Sequence, residues 1–174
     1  MLKYKNREEF LTLVKTLQNT EVVYDKRNIV IIRVKTFSDC NTLFCSNTVN
    51  WCIANKKEYW DDYVNKPFRK QYFIIDFNNF KQIFSISSIG DERNNFSMIG
   101  FTTKGNQIVA AHARNDNNLI DHYNNRFENI LKEKGIYDFV ANGCNEINFK
   151  IAVAIALVVL IFATPFIISL FFQK

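Results

Sequence analysis

MIGFTTKGNQIVAAHA, residues 98 to 113, is the stretch that decides how this chain is built. Met98 to Thr103 and Gln107 to Ala113 are β-prone runs on either side of Lys104-Gly105-Asn106, and glycine beside asparagine suits the positive φ angles of a hairpin turn. Working back, Tyr72 to Phe77 and Phe80 to Ser87 flank Asn78-Asn79, a second turn signal of the same kind. Successive strands joined by short turns predict an antiparallel meander. Further back, Val22 to Tyr24 and Ile29 to Val34 enclose Asp25-Lys26-Arg27-Asn28, a first hairpin.

Helical periodicity surrounds these strands. Asn6 with Glu9 three residues on makes a capping-box-like start, after which Phe10, Val14 and Leu17 share one helical face. The polar stretch from Thr36 to Asn50 reads as loop. Trp51 to Val64 carries Ile53, Trp60 and Val64 on one stripe and is closed by Pro67, a second helix with its N-terminus near Cys52. Asn115 to Asn118 offer caps for a third, in which Ile120, Tyr123, Phe127, Ile130 and Leu131 recur at helical spacing until Gly135. The block from Ile136 to Asn148 has few regular signals and is expected to be a hinge. The body, residues 1–140, is therefore predicted to be an α+β domain, an antiparallel β-meander with flanking helices. A connector over 141–150 follows.

The C-terminal segment is of another kind. From Ile151 through Leu160 and Pro165 to Phe172 the chain carries no charge, and Lys150 and Lys174 bracket it. At about 1.5 Å per residue it would make a helix of about 33 Å, enough to cross a hydrocarbon core of about 30 Å. Its polar side chains, Thr164 and Ser169, can bond back to helix carbonyls, and proline is tolerated in spanning helices. One transmembrane helix over 151–172 is the expectation. Behind the charges of Met1-Leu2-Lys3-Tyr4-Lys5 there is no apolar run of the signal-peptide type. The body is expected to stay in the cytoplasm as the N-terminal domain of a single-pass, tail-anchored membrane protein.

A net charge of +5 fits a surface meeting anionic groups. Lys66, Arg69 and Lys70, with Trp60, Phe68 and Tyr72 interleaved, are the candidate anionic contact. An anchor brings lipid headgroups within reach, so they are preferred to nucleic acid as the polyanion. Cys40, Cys45, Cys52 and Cys144 form no C-x-x-C element, and His112 and His122 fall in different predicted elements. Neither a metal site nor a glycine-rich phosphate loop is expected, and no cofactor is implied.

The chemistry-bearing candidates are Cys52, at a predicted helix start where a partial positive charge favours thiolate, and His112, on a predicted strand among small alanines. Asp116 is the candidate orienter, with Asn115 and Asp121 as alternatives. The bland reading makes Cys52 a core thiol beside Trp51 and His112 a hydrogen-bonded strand histidine. The order cysteine on a helix, histidine on a strand, then a polar residue resembles the papain-like cysteine hydrolases, including the NlpC/P60 and CHAP groups. No glutamine precedes Cys52 at the position where that pattern places its oxyanion donor. A second similarity rests on Thr48-Val49-Asn50-Trp51-Cys52-Ile53-Ala54, the aromatics Tyr59, Trp60 and Tyr63, and the strand Tyr72 to Asp76. It resembles a small domain of bacteriophage-encoded proteins whose core reads Gly-Thr-x-Trp-Cys-x-Ala or Thr, over about residues 28 to 120. Thr48 and Val49 stand where that pattern has Gly and Thr. This similarity implies a phage or prophage origin and no established activity.

Three functions follow as expectations. The first is an anchored interaction domain that binds a protein partner at the lipid bilayer. The second is a membrane-tethered Cys–His hydrolase or transferase. The third is a membrane-permeabilising protein of the lysis type, although Ala152, Ala154 and Ala156 do not line one helical face as a small-xxx-small motif would. The neighbours of Cys52 separate the first two.

Overall fold

A computed structural model describes residues 3–45, 49, 51–77, 97–105, 107–113, 118–120 and 126–143. Its centre is a five-stranded antiparallel sheet in the order β1 (Thr20–Lys26), β2 (Ile29–Val34), β3 (Arg69–Asp76), β4 (Ser97–Lys104) and β5 (Gln107–Ala113). Each strand pairs with its neighbour in sequence, so the α+β class and the meander order hold. The strands are apolar at successive positions because both faces are covered, where a half-exposed sheet would alternate.

One face packs Val30, Ile32, Val34, Phe73, Ile75 and Met98 against α1 (Arg7–Lys15), α2 (Phe37–Phe44), α3 (Cys52–Asn55) and α4 (Lys57–Tyr63). The other packs Ile29, Ile31, Ile74, Ile99 and Phe101 against α5 (Arg126–Glu133) and α6 (Tyr137–Gly143). Adjacent strand residues such as Phe73 and Ile74 thus serve different cores, as the two-residue period requires. An ion pair of 2.9 Å between Lys134 and the buried Asp76 ties the end of α5 to the sheet.

Several elements follow the sequence closely. The Asn6 side chain caps α1 by accepting from the Glu9 amide at 2.9 Å, while the Glu9 carboxylate accepts from the Lys5 amide at 2.7 Å. Arg27, at φ 58°, turns the first hairpin, and Gly105, at φ 57°, turns the last. Gly135, at φ 64°, ends α5.

Others differ. The stretch predicted as loop after Thr36 contains α2, with the Thr36 hydroxyl accepting from the Asp39 amide and Cys40, Leu43 and Phe44 buried. The single helix predicted over Trp51 to Val64 is broken at Lys56, whose φ of −134° and ψ of 127° are extended. A continuous helix would set Ala54 and Trp60 about 120° apart around its axis. Breaking it resets the phase, and both are buried in the same core.

A strand over 80–87 was expected to pair with β3. Both edges of β3 are occupied, by β2 and β4. Residues 80–87 themselves lie outside the described residues. Of the third helix the described residues give α5, Arg126–Glu133, while Leu119 before it stands in non-helical backbone with its amide donating to the Ala111 carbonyl. The expected hinge begins instead with α6, and Ile136 and Val140 are buried against the sheet. The segment 151–172 also lies outside the described residues; among them no helix is long and apolar enough to cross a membrane.

Candidate active-site cleft

Register places the candidate residues on one face. His112 of β5 lies opposite Gly100 of β4, Ala110 opposite Thr102, and Thr102 opposite Gln71 of β3. This face of the sheet carries α1 to α4, so His112 belongs to the side on which Cys52 sits. Together Cys52, His112, Gln71, Thr102, Gly100 and Arg69 line a cleft of about 430 Å³, with Trp51, Ile53, Tyr63, Val109 and Ala110 as mostly apolar walls. Cys52 and His112 are both half-buried, reachable from solvent yet held by their surroundings.

Trp51 locks the two halves of the cleft together. Its indole Nε1 donates to the Ala113 carbonyl at 2.6 Å, tying the residue before Cys52 to the residue after His112. The ring is 2% exposed and packs against Phe73 and Phe44, at centroid distances of 5.0 and 5.3 Å. The Asn41 side chain adds a second tie, donating to the Ala54 carbonyl at 2.9 Å and pinning α3 to α2. Replacing Trp51 with Phe leaves the Ala113 carbonyl without its indole donor and is expected to cost about 1–3 kcal/mol. Urea denaturation reads that loss. Alkylation of Cys52 should slow more than so small a loss accounts for, since α3 is then free to shift against β5.

Electrostatics at Cys52 differ from the sequence expectation in one respect. α3 is a single turn of four residues with no side-chain cap, so few peptide dipoles align behind the thiol. The imidazole that shares the cleft with the thiol is His112. The other described thiols sit elsewhere: Cys40 is fully buried, and burial followed by the nearby charge of Asp39 pushes its thiol well up, while Cys45 is exposed and does not line the cleft. Asp116, Asn115 and Asp121 lie outside the described residues; the chain returns at Asn118 to form a β-bridge with His112.

Residue type and spacing gave no hint of Gln71. It stands 2% exposed in the cleft wall, with its Oε1 accepting from the Thr102 hydroxyl at 2.6 Å and its Nε2 donating to the Tyr72 carbonyl at 3.2 Å. Gln71 falls just before the strand expected from Tyr72, and β3 begins early enough, at Arg69, to include it; its pairing with β4 supplies the amide's neighbours. Gly100 leaves the floor open beneath His112: a Cβ there would come within 3.1 Å of the Phe73 ring and 3.4 Å of Gln71 Nε2.

Lys66, Arg69 and Lys70 line a second, basic pocket. Among the described residues no three metal-ligating side chains converge. Comparison with known protein families, curated proteins and solved structures returns no match. The class that the fold and cleft define is an α+β domain with a cysteine and a histidine facing one cavity.

Proposed function

We propose that the chain is a Cys–His hydrolase or acyltransferase, held at a membrane by its C-terminal segment. The observation that carries this reading is the shared cleft of Cys52 and His112, clamped by the Trp51 to Ala113 bond. A core thiol would meet solid packing, and a cavity of about 430 Å³ has room for a substrate.

In the reaction, His112 takes the Cys52 proton and the thiolate attacks a carbonyl carbon, forming a tetrahedral oxyanion. Collapse expels the leaving group, which receives the proton from the imidazolium, and leaves an acyl-thioester on Cys52. Water or an acceptor amine or alcohol, deprotonated by His112, then attacks the thioester, releases the product and restores the thiol. Gln71 is the candidate donor to the oxyanion. An amide held by neighbouring polar groups needs little reorganisation in such a role.

The test uses the full chain in neutral detergent. Cys52 should react with iodoacetamide faster than the other thiols near neutral pH, and p-nitrophenyl acetate should give a burst. Equal labelling of the thiols with no burst would remove the proposal.

The tail supplies location. Confinement to a surface raises the effective concentration of any membrane-bound substrate. Deleting residues 150–174 is expected to move the chain from the membrane fraction to the soluble one, read by ultracentrifugation and blotting; an undiminished membrane fraction would count against the anchor. A second reading, an anchored domain that binds a protein at the bilayer, is favoured by Tyr63, a cleft-lining residue 53% exposed, and by Phe68, 81% exposed and next in the chain to Arg69.

A further inference from the structure

Sharing Arg69 and Gln71 with the cleft is a second concavity of about 120 Å³, where β2 leaves the sheet, β3 enters it and α4 ends. Its lining is predominantly polar. Arg33, Lys35, Lys66, Arg69 and Lys70 all contribute to it, and Trp60 forms its apolar back wall. Five cations come from two separate parts of the chain, 33–35 and 66–70, brought side by side by the antiparallel pairing that sets Val34 opposite Gln71.

The carboxylates nearby do not balance this charge. Glu21 bonds Arg33 at 3.2 Å and Lys35 at 2.8 Å, and Asp62 lies 3.9 Å from Lys66. Among the described residues no carboxylate pairs with Arg69 or Lys70. One Arg69 guanidinium nitrogen donates to the Tyr63 carbonyl at 2.5 Å, which orients the group without neutralising it. Such a pocket is bordered by excess positive charge, in a space too small for most organic ligands.

We infer that this pocket binds a phosphate group. A tetrahedral anion offers several acceptor oxygens to convergent donors, and guanidinium groups match its geometry. Two sources carry that chemistry, an acidic phospholipid headgroup and a free phosphorylated small molecule. Phe68 sits beside the pocket on left-handed backbone, φ 64°, with 81% of its surface exposed. A bulky residue adopts that conformation only where its surroundings impose it, and here the Gly105 amide donates to the Phe68 carbonyl at 3.0 Å. An aromatic ring held out next to a phosphate site is suited to enter the acyl boundary of a membrane.

The full chain in neutral detergent micelles is titrated with inorganic phosphate, with tryptophan fluorescence reporting through Trp60 and potassium chloride of matched ionic strength as control. In parallel the chain is reconstituted into phosphatidylcholine vesicles with and without phosphatidic acid. A saturable phosphate response that chloride does not reproduce, weakened about tenfold in a Lys66→Gln, Lys70→Gln double variant, supports the site with free phosphate as a ligand. A response confined to phosphatidic acid and lost in the double variant supports it with the lipid headgroup as the source. No response in either medium overturns the inference, as does a response equal in chloride or undiminished in a double variant whose circular dichroism matches the parent.

Discussion

Replacing Cys52 with serine is expected to lower p-nitrophenyl ester hydrolysis by about a thousandfold or more, because a serine hydroxyl is a far weaker nucleophile beside the same imidazole. The loss should appear without a matching loss of stability, since Cys52 faces a cleft and serine is nearly isosteric. His112→Ala supplies the sharper test. Near pH 7 it should slow alkylation of Cys52 by about a hundredfold, within the range of general-base contributions. As pH rises past the ordinary thiol value of about 8.5, thiolate forms without help and the two rates should converge. A histidine that merely supports the fold would slow labelling by the same factor at every pH. Cys45, exposed and not lining the cleft, is the internal reference, and Cys40 should stay unlabelled in the native state because burial both shields its thiol and keeps it protonated.

How far the sequence foretold this cleft depends on which residue is asked about. His112 was legible because hairpin chemistry at Gly105 fixed the strand it lies on, and register did the rest. Cys52 was placed at a helix start by periodicity, correctly, but the brevity of that helix was not visible. The break at Lys56 answers a demand for burying both Ala54 and Trp60, which is a property of the sheet beneath them. α2 was missed because Ser38, Asp39, Asn41 and Thr42 made the segment look like loop, while burial of Cys40, Leu43 and Phe44 outweighed their weak helix propensity. The partnership of β3 with β4 joins residues separated by the undescribed stretch 78–96, and local turn signals favoured the nearer strand. The places of Gln71 and Arg69 in the cleft wall follow from that non-local pairing, which no motif could have revealed. The same holds for the basic pocket: Lys66, Arg69 and Lys70 were visible as a run, whereas Arg33 and Lys35 joined them only through the sheet.

Phe73→Ala is expected to destabilise the body by about 3–5 kcal/mol, a large part of the total stability of an ordinary domain. The ring is fully buried, packs 4.2 Å from Phe44 and 5.0 Å from Trp51 by centroid, and fills the space that a Gly100 Cβ would otherwise meet. Its removal opens a cavity under the indole that clamps α3 to β5, so stability and reactivity should fall together. Ile74→Ala separates those two effects. Ile74 is the next residue in β3 and is also buried, but it serves the opposite core with Ile99 and Phe101. Its truncation should cost about 2–5 kcal/mol in urea denaturation while leaving the rate of Cys52 alkylation unchanged under native conditions. Phe73→Ala should slow that rate, and in combination with Trp51→Phe the losses should be less than additive, because each substitution loosens the same clamp. If both truncations altered labelling alike, the reactivity of Cys52 would track global stability, and the Trp51 clamp would not be what positions it.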